Sequence, residues 1–599
     1  MKNLKSEIKG ALVSLLRKAE LLKNENIIET LETPPDTEMG DMATSISFSL
    51  ASKLGKPPTQ ISEEIIADLT LSKNSFISKI ETKGGYINFF LNYQKLSEKL
   101  LKKILEQGEI YGSSDYVGNQ EVLIEYSAPN PNKPMHIGHT RNNFIGMSIN
   151  NILSFNGYKT HPVNEINDRG IHICKSLWGY LQFGKKTGSE GIKNWRKLLE
   201  EWYEDQSKWT IPKDVGKKPD HFVMDYYVKA ANMIAEDKEY DRQNREVLQE
   251  WEKGNKKVRD LWKKMNNWAY QGWDETYKRQ GCEFEKYYYE SNLYKRGKEI
   301  VLENIDGNLF FKSDKGTVVA NLERYNLPGL VFIRSDGTTL YQTNDLALTE
   351  KKVQDYPNSK LIWVVGGEHK LYFKQLFQVF DNLGIVKKDE CYHLGYGLIS
   401  LPEGKMSSRK GKVILADDLM DEVHEMVKKE VEERNPELNE NEKRDISEKI
   451  ALGALKYGML RIDAFKNIVF DPKEIIKFEG NTGPYLQYAH VRANKILKKV
   501  NGFKNRYQPE KLEKEEKLLI GKLLGFPEVV EKAAKEYKPN LVANYGYELA
   551  EAFNSFYHSC PVIQSEDETK EFRLTLVKAF KITLKNCLTL LGIDTPEIM

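Results

Sequence analysis

IEYSAPNPNKPMHIGHTRNN, residues 124–143, decides how this 599-residue chain folds. It begins inside a short apolar strand, EVLIEYS (121–127). The Pro- and Asn-rich turn APNPNKPM ends that strand. A helix is then predicted from about Ile137 to Phe155. HPVNEIN (161–167) reads as the next strand and GIHICKSLWGYLQFG (170–184) as the next helix. Strands alternating with helices predict a parallel, doubly wound sheet. A loop that leaves such a strand and opens a helix aims backbone N–H groups at whatever sits there, the usual place for a phosphate. Gly138 permits close backbone approach. His136 and His139, three apart, can donate hydrogen bonds to an anionic pentavalent phosphorus centre. A metal pair is the alternative, but the Cys or Glu partners of a zinc site do not accompany them.

The pattern continues downstream. GNLFF, TVVANL, GLVFIRSDG and TTLYQT (within 307–343) read as short strands. LIWVVG (361–366) reads as a buried strand, followed by a helix closed by Gly384, and CYHLGYGLIS (391–400) as another strand. Then comes a basic loop, KMSSRKGK (405–412), bracketed by Gly404 and Gly411. Mobile cations of this kind suit a pyrophosphate leaving group.

Three other regions differ from this one. Residues 1–115 predict a small α+β module. Met42, Ile46, Leu50 and Leu54 recur at helical spacing before Gly55 and Pro57. In GGYINFFLN, Tyr86, Asn88 and Phe90 share one face of a strand. Residues 184–280 predict a helical insertion. Eight of nine tryptophans lie between Trp178 and Trp273, and an aromatic core is favoured over base-stacking platforms for RNA. From about 417 the chain predicts helices: one capped by Asp417 or Asp418, then about 444–460, 482–500, 511–536, 540–560 and 568–591.

Composition sets the outer limits. Lys+Arg number 89 and Asp+Glu 87, for a net charge of +2. With 40% hydrophobic and 29% charged residues, a disordered chain is excluded. A uniformly basic surface is also excluded, but local basic tracks (405–412, 495–504) leave room for a nucleic acid. Five scattered cysteines without a C-x-x-C pair argue against a disulfide framework and a Cys-rich zinc site, and fit a cytoplasmic protein. No run of 18 apolar residues predicts a membrane helix. The N-terminal MKNLKSEIKGALVSLLRKAE reads as an amphipathic helix rather than a signal peptide.

HIGH at 136–139 followed by a KMS loop resembles the two signatures of class I aminoacyl-tRNA synthetases. IEYSAPNPNKPMHIGHTRNN, GNTGPYLQYAHVR (480–492), the ending LLGIDTPEIM and the GDMAT…GGYINF module resemble the arginyl-tRNA synthetase family in particular. The resemblance covers nearly the whole chain. It implies an N-terminal tRNA-elbow module (1–115), a Rossmann-like parallel-sheet catalytic domain with its helical insertion (116–425, insertion about 184–280) and a helical anticodon-binding bundle (426–599). It implies ATP with Mg²⁺ as nucleotide, arginine and its tRNA as partners, no zinc, no membrane, and a monomer. Another class I synthetase and a non-catalytic tRNA-binding paralogue are the alternatives.

Residue by residue, the resemblance implies that His136 and His139 face the ATP phosphates while Gly138 lets adenosine lie on the backbone. Lys405, Ser407, Ser408 and Arg409 form the second signature. Ser408 stands where KMSKS has its second lysine. Arginyl enzymes carry a lysine just before HIGH instead, and Lys133 takes that place. Tyr396 and Leu398 are implied adenine neighbours. Glu125, Asn130, Tyr341, Asp345 and His369 are implied arginine contacts, His369 standing where the family commonly has Gln. A guanidinium asks for carboxylates and an aromatic partner, which Asp345 and Tyr341 supply. Asn167–Gly170 matches a segment near the site. Tyr86, Asn88 and Phe90 are implied elbow contacts, and Tyr488, Tyr557 and Met599 implied anticodon contacts. Residues 220–237 resemble the longer bacterial variants of the insertion.

Overall fold

A computed structural model describes the chain except residues 1–3, 23–25, 28–29, 33, 35–38, 73–74, 116, 119, 189–193, 306, 308, 401, 403–413, 501 and 510. The first sheet is antiparallel. β1 (Leu31–Glu32), β2 (Met42–Thr44), β3 (Ile77–Lys83) and β4 (Tyr86–Leu91) pair in the order β1-β2-β4-β3. Ile87, Phe89 and Leu91 are buried, while Tyr86 is exposed and Phe90 half-buried. Met42 belongs to β2 and not to the helix, which runs Ile46–Leu54. Gly40, at φ +99°, turns the chain into β2, and the Asp41 carboxylate accepts the Leu91 N–H at 2.7 Å.

The catalytic sheet follows the alternation seen in the sequence. β5 (Glu121–Glu125), β6 (Lys159–Ile166), β7 (Lys286–Tyr289), β11 (Lys360–Gly366) and β12 (Cys391–Tyr396) are parallel, in the order β12-β11-β5-β6-β7. β8 (Phe310–Lys312), β9 (Val318–Ala320) and β10 (Leu330–Ile333) form a separate antiparallel sheet. The chain crosses from β5 to β6 through the Ile137–Phe155 helix. β11 lies on the other side of β5, so the winding direction reverses between them. Crevices at such a switch point, beyond the carboxyl ends of the strands, bind ligands. Two loops meet there, residues 126–136 after β5 and Gly367 after β11.

Two local expectations fail. TTLYQT is not a strand. Thr339 makes one bridge to Ile333, and the Tyr341–Asp355 helix starts at once. The Thr343 hydroxyl donates to the Phe332 carbonyl at 2.6 Å, so polar side chains here tie the helix start to β10. Neither Asp417 nor Asp418 caps its helix: Ala416–Arg434 begins after Leu415 with no side-chain cap. The Asp417 carboxylate is engaged by Lys218 and His221 instead. The CYHLGYGLIS strand divides at Gly397 into β12 and β13 (Ile399–Ser400), and β13 pairs in parallel with β14 (Ile468–Val469).

Tryptophans of the insertion pack inward. Trp178, Trp195, Trp202, Trp209, Trp251 and Trp268 form one core with Tyr180, Phe222 and Tyr226. The favoured aromatic-core reading describes them, and these rings are not free as base platforms. The C-terminal helices Glu440–Leu460, Gly483–Lys498, Lys514–Glu536, Pro539–Ser559 and Asp567–Leu590 bundle around a core in which Phe553 stacks on Phe580 at 3.8 Å. The first sheet's module adjoins this bundle through the Tyr93–Gln107 helix and the turn after it. Asn586 donates to the carbonyls of Gly108 and Tyr111. Among the described residues no helix is long and apolar enough to cross a membrane.

Candidate active site

Beyond Tyr126, which follows β5, the backbone leaves ordinary space. Ser127 and Ala128 take φ of +81° and +49°, a left-handed conformation that is costly for residues with a Cβ. Side chains hold it. The Ser127 N–H donates to Asn142 Oδ1 at 2.7 Å and the Ala128 N–H to Asn164 Oδ1 at 3.0 Å. The loop then reaches Asn130 and Lys133, both half-buried.

His136 is the N-cap of the Ile137–Phe155 helix. The Gly138 N–H donates to His136 Nδ1 at 3.1 Å, and the His136 N–H donates to His139 Nδ1 at 3.2 Å. Two imidazoles thus perform the reciprocal capping usually given to a hydroxyl and a carboxylate. Their ring centroids lie 3.9 Å apart. Burial, reinforced by Lys133, pushes the His136 pKa down to about 4. Burial, then His136 and Lys133, holds His139 well below the ordinary value. Both rings are neutral at pH 7, and because each Nδ1 accepts, the proton sits on Nε2. A Cβ on residue 138 would stand 2.9 Å from the His136 ring, so glycine makes the cap possible.

The chain that follows the basic loop is tied to this segment. Leu415 bridges His136, the Ile137 N–H donates to Ile414, and the Ala416 N–H to Met135. Its other side is tied by the buried Arg141. That guanidinium donates to the carbonyls of Gly397, Leu398, Ala464 and Lys466. Lys405, Ser407, Ser408 and Arg409 lie outside the described residues. Tyr396 is half-buried, its hydroxyl 3.4 Å from Asn142. Leu398 is 69% exposed.

The amino-acid side has opposite electrostatics. Glu125, 5% exposed, ion-pairs with the Lys352 ammonium. Glu165 and Asp345 also act on that ammonium, which is held above its usual pKa despite burial. Burial raises Glu165 well above the carboxylate range, with Glu125 adding to it. Burial raises Asp345 to about 6, against a hydrogen bond from the Tyr372 hydroxyl. Glu165 and Asp345 are half-buried. Three acidic side chains thus surround one buried ammonium. Tyr372 also packs 5.1 Å from Tyr341 and 6.3 Å from His369. Tyr341 is 60% exposed, and His369 stands at the rim, 3.7 Å from Glu368. Sequence reading missed Glu165, Lys352 and Tyr372. For Tyr372 a signal existed, since it lies three residues after His369. Asn167–Gly170 is adjacent. Asp168 accepts from the backbone and hydroxyl of Ser291, and Arg169 reaches Glu290, whose carboxyl burial raises to about 7.

Far from the cleft, Arg492 stacks 4.8 Å over Tyr488 and 5.2 Å over Tyr557, and donates to Asn554. Tyr557 is exposed, whereas Met599 is 7% exposed within the main core. Asn88 is 5% exposed, between strands β2 and β3. His490 faces the bundle's interior, and burial lowers its pKa to about 4.

Comparison with known proteins agrees with this geometry. Residues 100–472 match the family "tRNA synthetases class I (R), catalytic domain". Residues 486–599 match the DALR anticodon binding domain, and residues 2–91 the arginyl tRNA synthetase N terminal domain. Fold and site therefore define a class I aminoacyl-tRNA synthetase. The arginine–tRNA ligase of Treponema denticola is 38% identical over 95% of this chain and 94% of its own. That of Treponema pallidum is 34% identical over 99% and 97%. The solved Thermus thermophilus arginyl-tRNA synthetase superposes with a TM-score of 0.76, at 26% identity over 99% of this chain and all of its own. The chain belongs to the arginyl-tRNA synthetase family, and its activity is the ATP-dependent ligation of arginine to tRNA.

Proposed function

We propose that the cleft activates arginine as arginyl-adenylate by in-line attack of its carboxylate on the α-phosphate of ATP, and then passes it to the terminal adenosine of tRNA. The observation that carries the reading is the imidazole cap. It presents two neutral Nε2–H donors and a helix N-terminus where the α-phosphate gains charge. Lys133 and Lys405 neutralise the departing pyrophosphate, with Ser407, Ser408 and Arg409 around the phosphates. Mg²⁺ arrives with the nucleotide, held by phosphate oxygens and water. Gly138, Tyr396 and Leu398 line the adenosine. Asp345 and Tyr341 take the guanidinium, Glu125 acts through Lys352 on the same charge balance, Asn130 binds the α-amino group, and His369 borders the entrance. The transition state is reached by positioning and charge, with no covalent enzyme intermediate.

The same reading assigns residues 1–115 to the tRNA elbow, with Tyr86 and Phe90 there while the buried Asn88 is corrected to a structural role in their strand, and 116–425 to catalysis. It assigns 426–599 to the anticodon. Tyr488 and Tyr557, with Arg492 between them, form the aromatic and cationic surface that unstacked bases need. The exposed Tyr557 is the stronger contact, and Met599 contributes by closing the core beneath. The enzyme works as a cytoplasmic monomer. ATP–pyrophosphate exchange with each amino acid, with and without tRNA, tests the assignment. Arginine-specific exchange that requires tRNA supports it, and exchange with another amino acid overturns it.

A further inference from the structure

The last helix of the tryptophan-rich insertion, Lys256–Gln280, makes polar contacts with several segments around the imidazole cap. Its contacts fall at positions 262, 273, 276, 277 and 280. Trp262 Nε1 donates to the Asp168 carbonyl at 2.6 Å. Trp273 Nε1 donates to the carbonyl of Lys133 itself at 3.3 Å. The Tyr277 hydroxyl accepts from Asn164 at 2.9 Å and meets Ser127 Oγ at 2.6 Å, bracing the strained pair. Thr276 donates to Asp417 at 3.1 Å, where Lys218 and His221 converge from the neighbouring insertion helix. Asp417 stands three residues beyond Ile414, on the chain leaving the basic loop. Gln280 exchanges hydrogen bonds with Asn143 and Thr140 of the helix that His136 caps.

The helix thus touches the β5 loop, the capped helix, the Asp168 segment and the chain after the basic loop. Each contact is a directed polar bond from a side chain fixed in the interior, and such bonds hold geometry more than they add stability. We propose that the Lys256–Gln280 helix is the positioning element of the phosphate side, with Trp273 and Tyr277 as its positioning residues: they set where Lys133 and the imidazole cap stand relative to each other. This rests on the assignment of Lys133 above. It gives the insertion a role in the rate of adenylate formation.

The test uses the full chain in arginine-dependent ATP–pyrophosphate exchange at saturating tRNA. Trp273→Phe removes the indole N–H and Tyr277→Phe the hydroxyl, each keeping an aromatic ring. Each should lower kcat about 10- to 100-fold, with KM for ATP and for arginine within about twofold. Trp209→Phe, in the insertion's own core and 1% exposed, should lower the Tm at least as much and leave kcat unchanged. Wild-type kcat in both positioning variants overturns the inference, as does a Trp209→Phe loss equal to theirs. Lys133→Ala, run beside them, separates the two readings. A normal rate there means the Lys133 assignment has failed. A collapsed rate there with normal positioning variants means only the role of the helix has failed.

Discussion

The two sides of the cleft handle charge in opposite ways. In the proposed reading the phosphate side meets a polyanion with neutral donors: two uncharged imidazoles and the amides of a helix start. The side assigned to arginine offers a cation the acidic groups of Glu125, Glu165 and Asp345 around one buried lysine. The difference follows from where charge develops. On the phosphate side the charge already on the nucleotide is redistributed in the transition state, where preorganised dipoles serve best. The guanidinium is charged throughout, so acidic groups that ionise beside it serve binding.

Replacing Lys133 by Ala breaks the phosphate side alone. Its kcat for activation should fall about 10³-fold with little change in KM for arginine, read by steady-state exchange. Asp345→Ala breaks the other side. KM for arginine should rise about 10²-fold while KM for ATP stays put, and a change in KM for ATP alone would show that Asp345 serves the nucleotide. Acid separates the sides without mutation. The Asp345 carboxyl titrates at about 6 and is neutral below that, so negative charge facing the guanidinium is lost as pH falls. kcat/KM for arginine should drop about tenfold between pH 6 and 5. His136, at about 4, keeps its form over that span, so KM for ATP should stay nearly flat. Tyr557→Ala should touch neither side. Removing one stacking ring should raise KM for tRNA about tenfold or less, leaving kcat at saturating tRNA unchanged.

The phosphate side was legible because it is local. Strand, turn, His136, Gly138 and His139 lie within twenty residues, and spacing alone places them at a helix N-terminus. The arginine side was legible only in part. Asp345 and Tyr341 share a segment, but Lys352 meets a Glu125 that is 227 positions away, and nothing near either residue announces the other. Asp417 shows the same limit from the opposite direction. It has the composition of a cap, yet a lysine and a histidine from the insertion out-compete its own backbone. TTLYQT alternates like a strand over too few residues to outweigh the polar anchors that start a helix there. The tryptophans were countable in the sequence, and their packing explains the count. The bonds of Trp262 and Trp273 to distant carbonyls needed three dimensions.

The imidazole cap carries a consequence for spectroscopy and reactivity. With each Nδ1 held by a backbone amide, the folded chain fixes one tautomer at both rings before any nucleotide arrives. In ¹⁵N spectra both histidines should show a protonated Nε2 and an unprotonated Nδ1, unchanged across neutral pH. The lone pair an electrophile needs is the one on Nδ1, which a backbone amide occupies in each ring, so both histidines should resist electrophilic modification even without nucleotide.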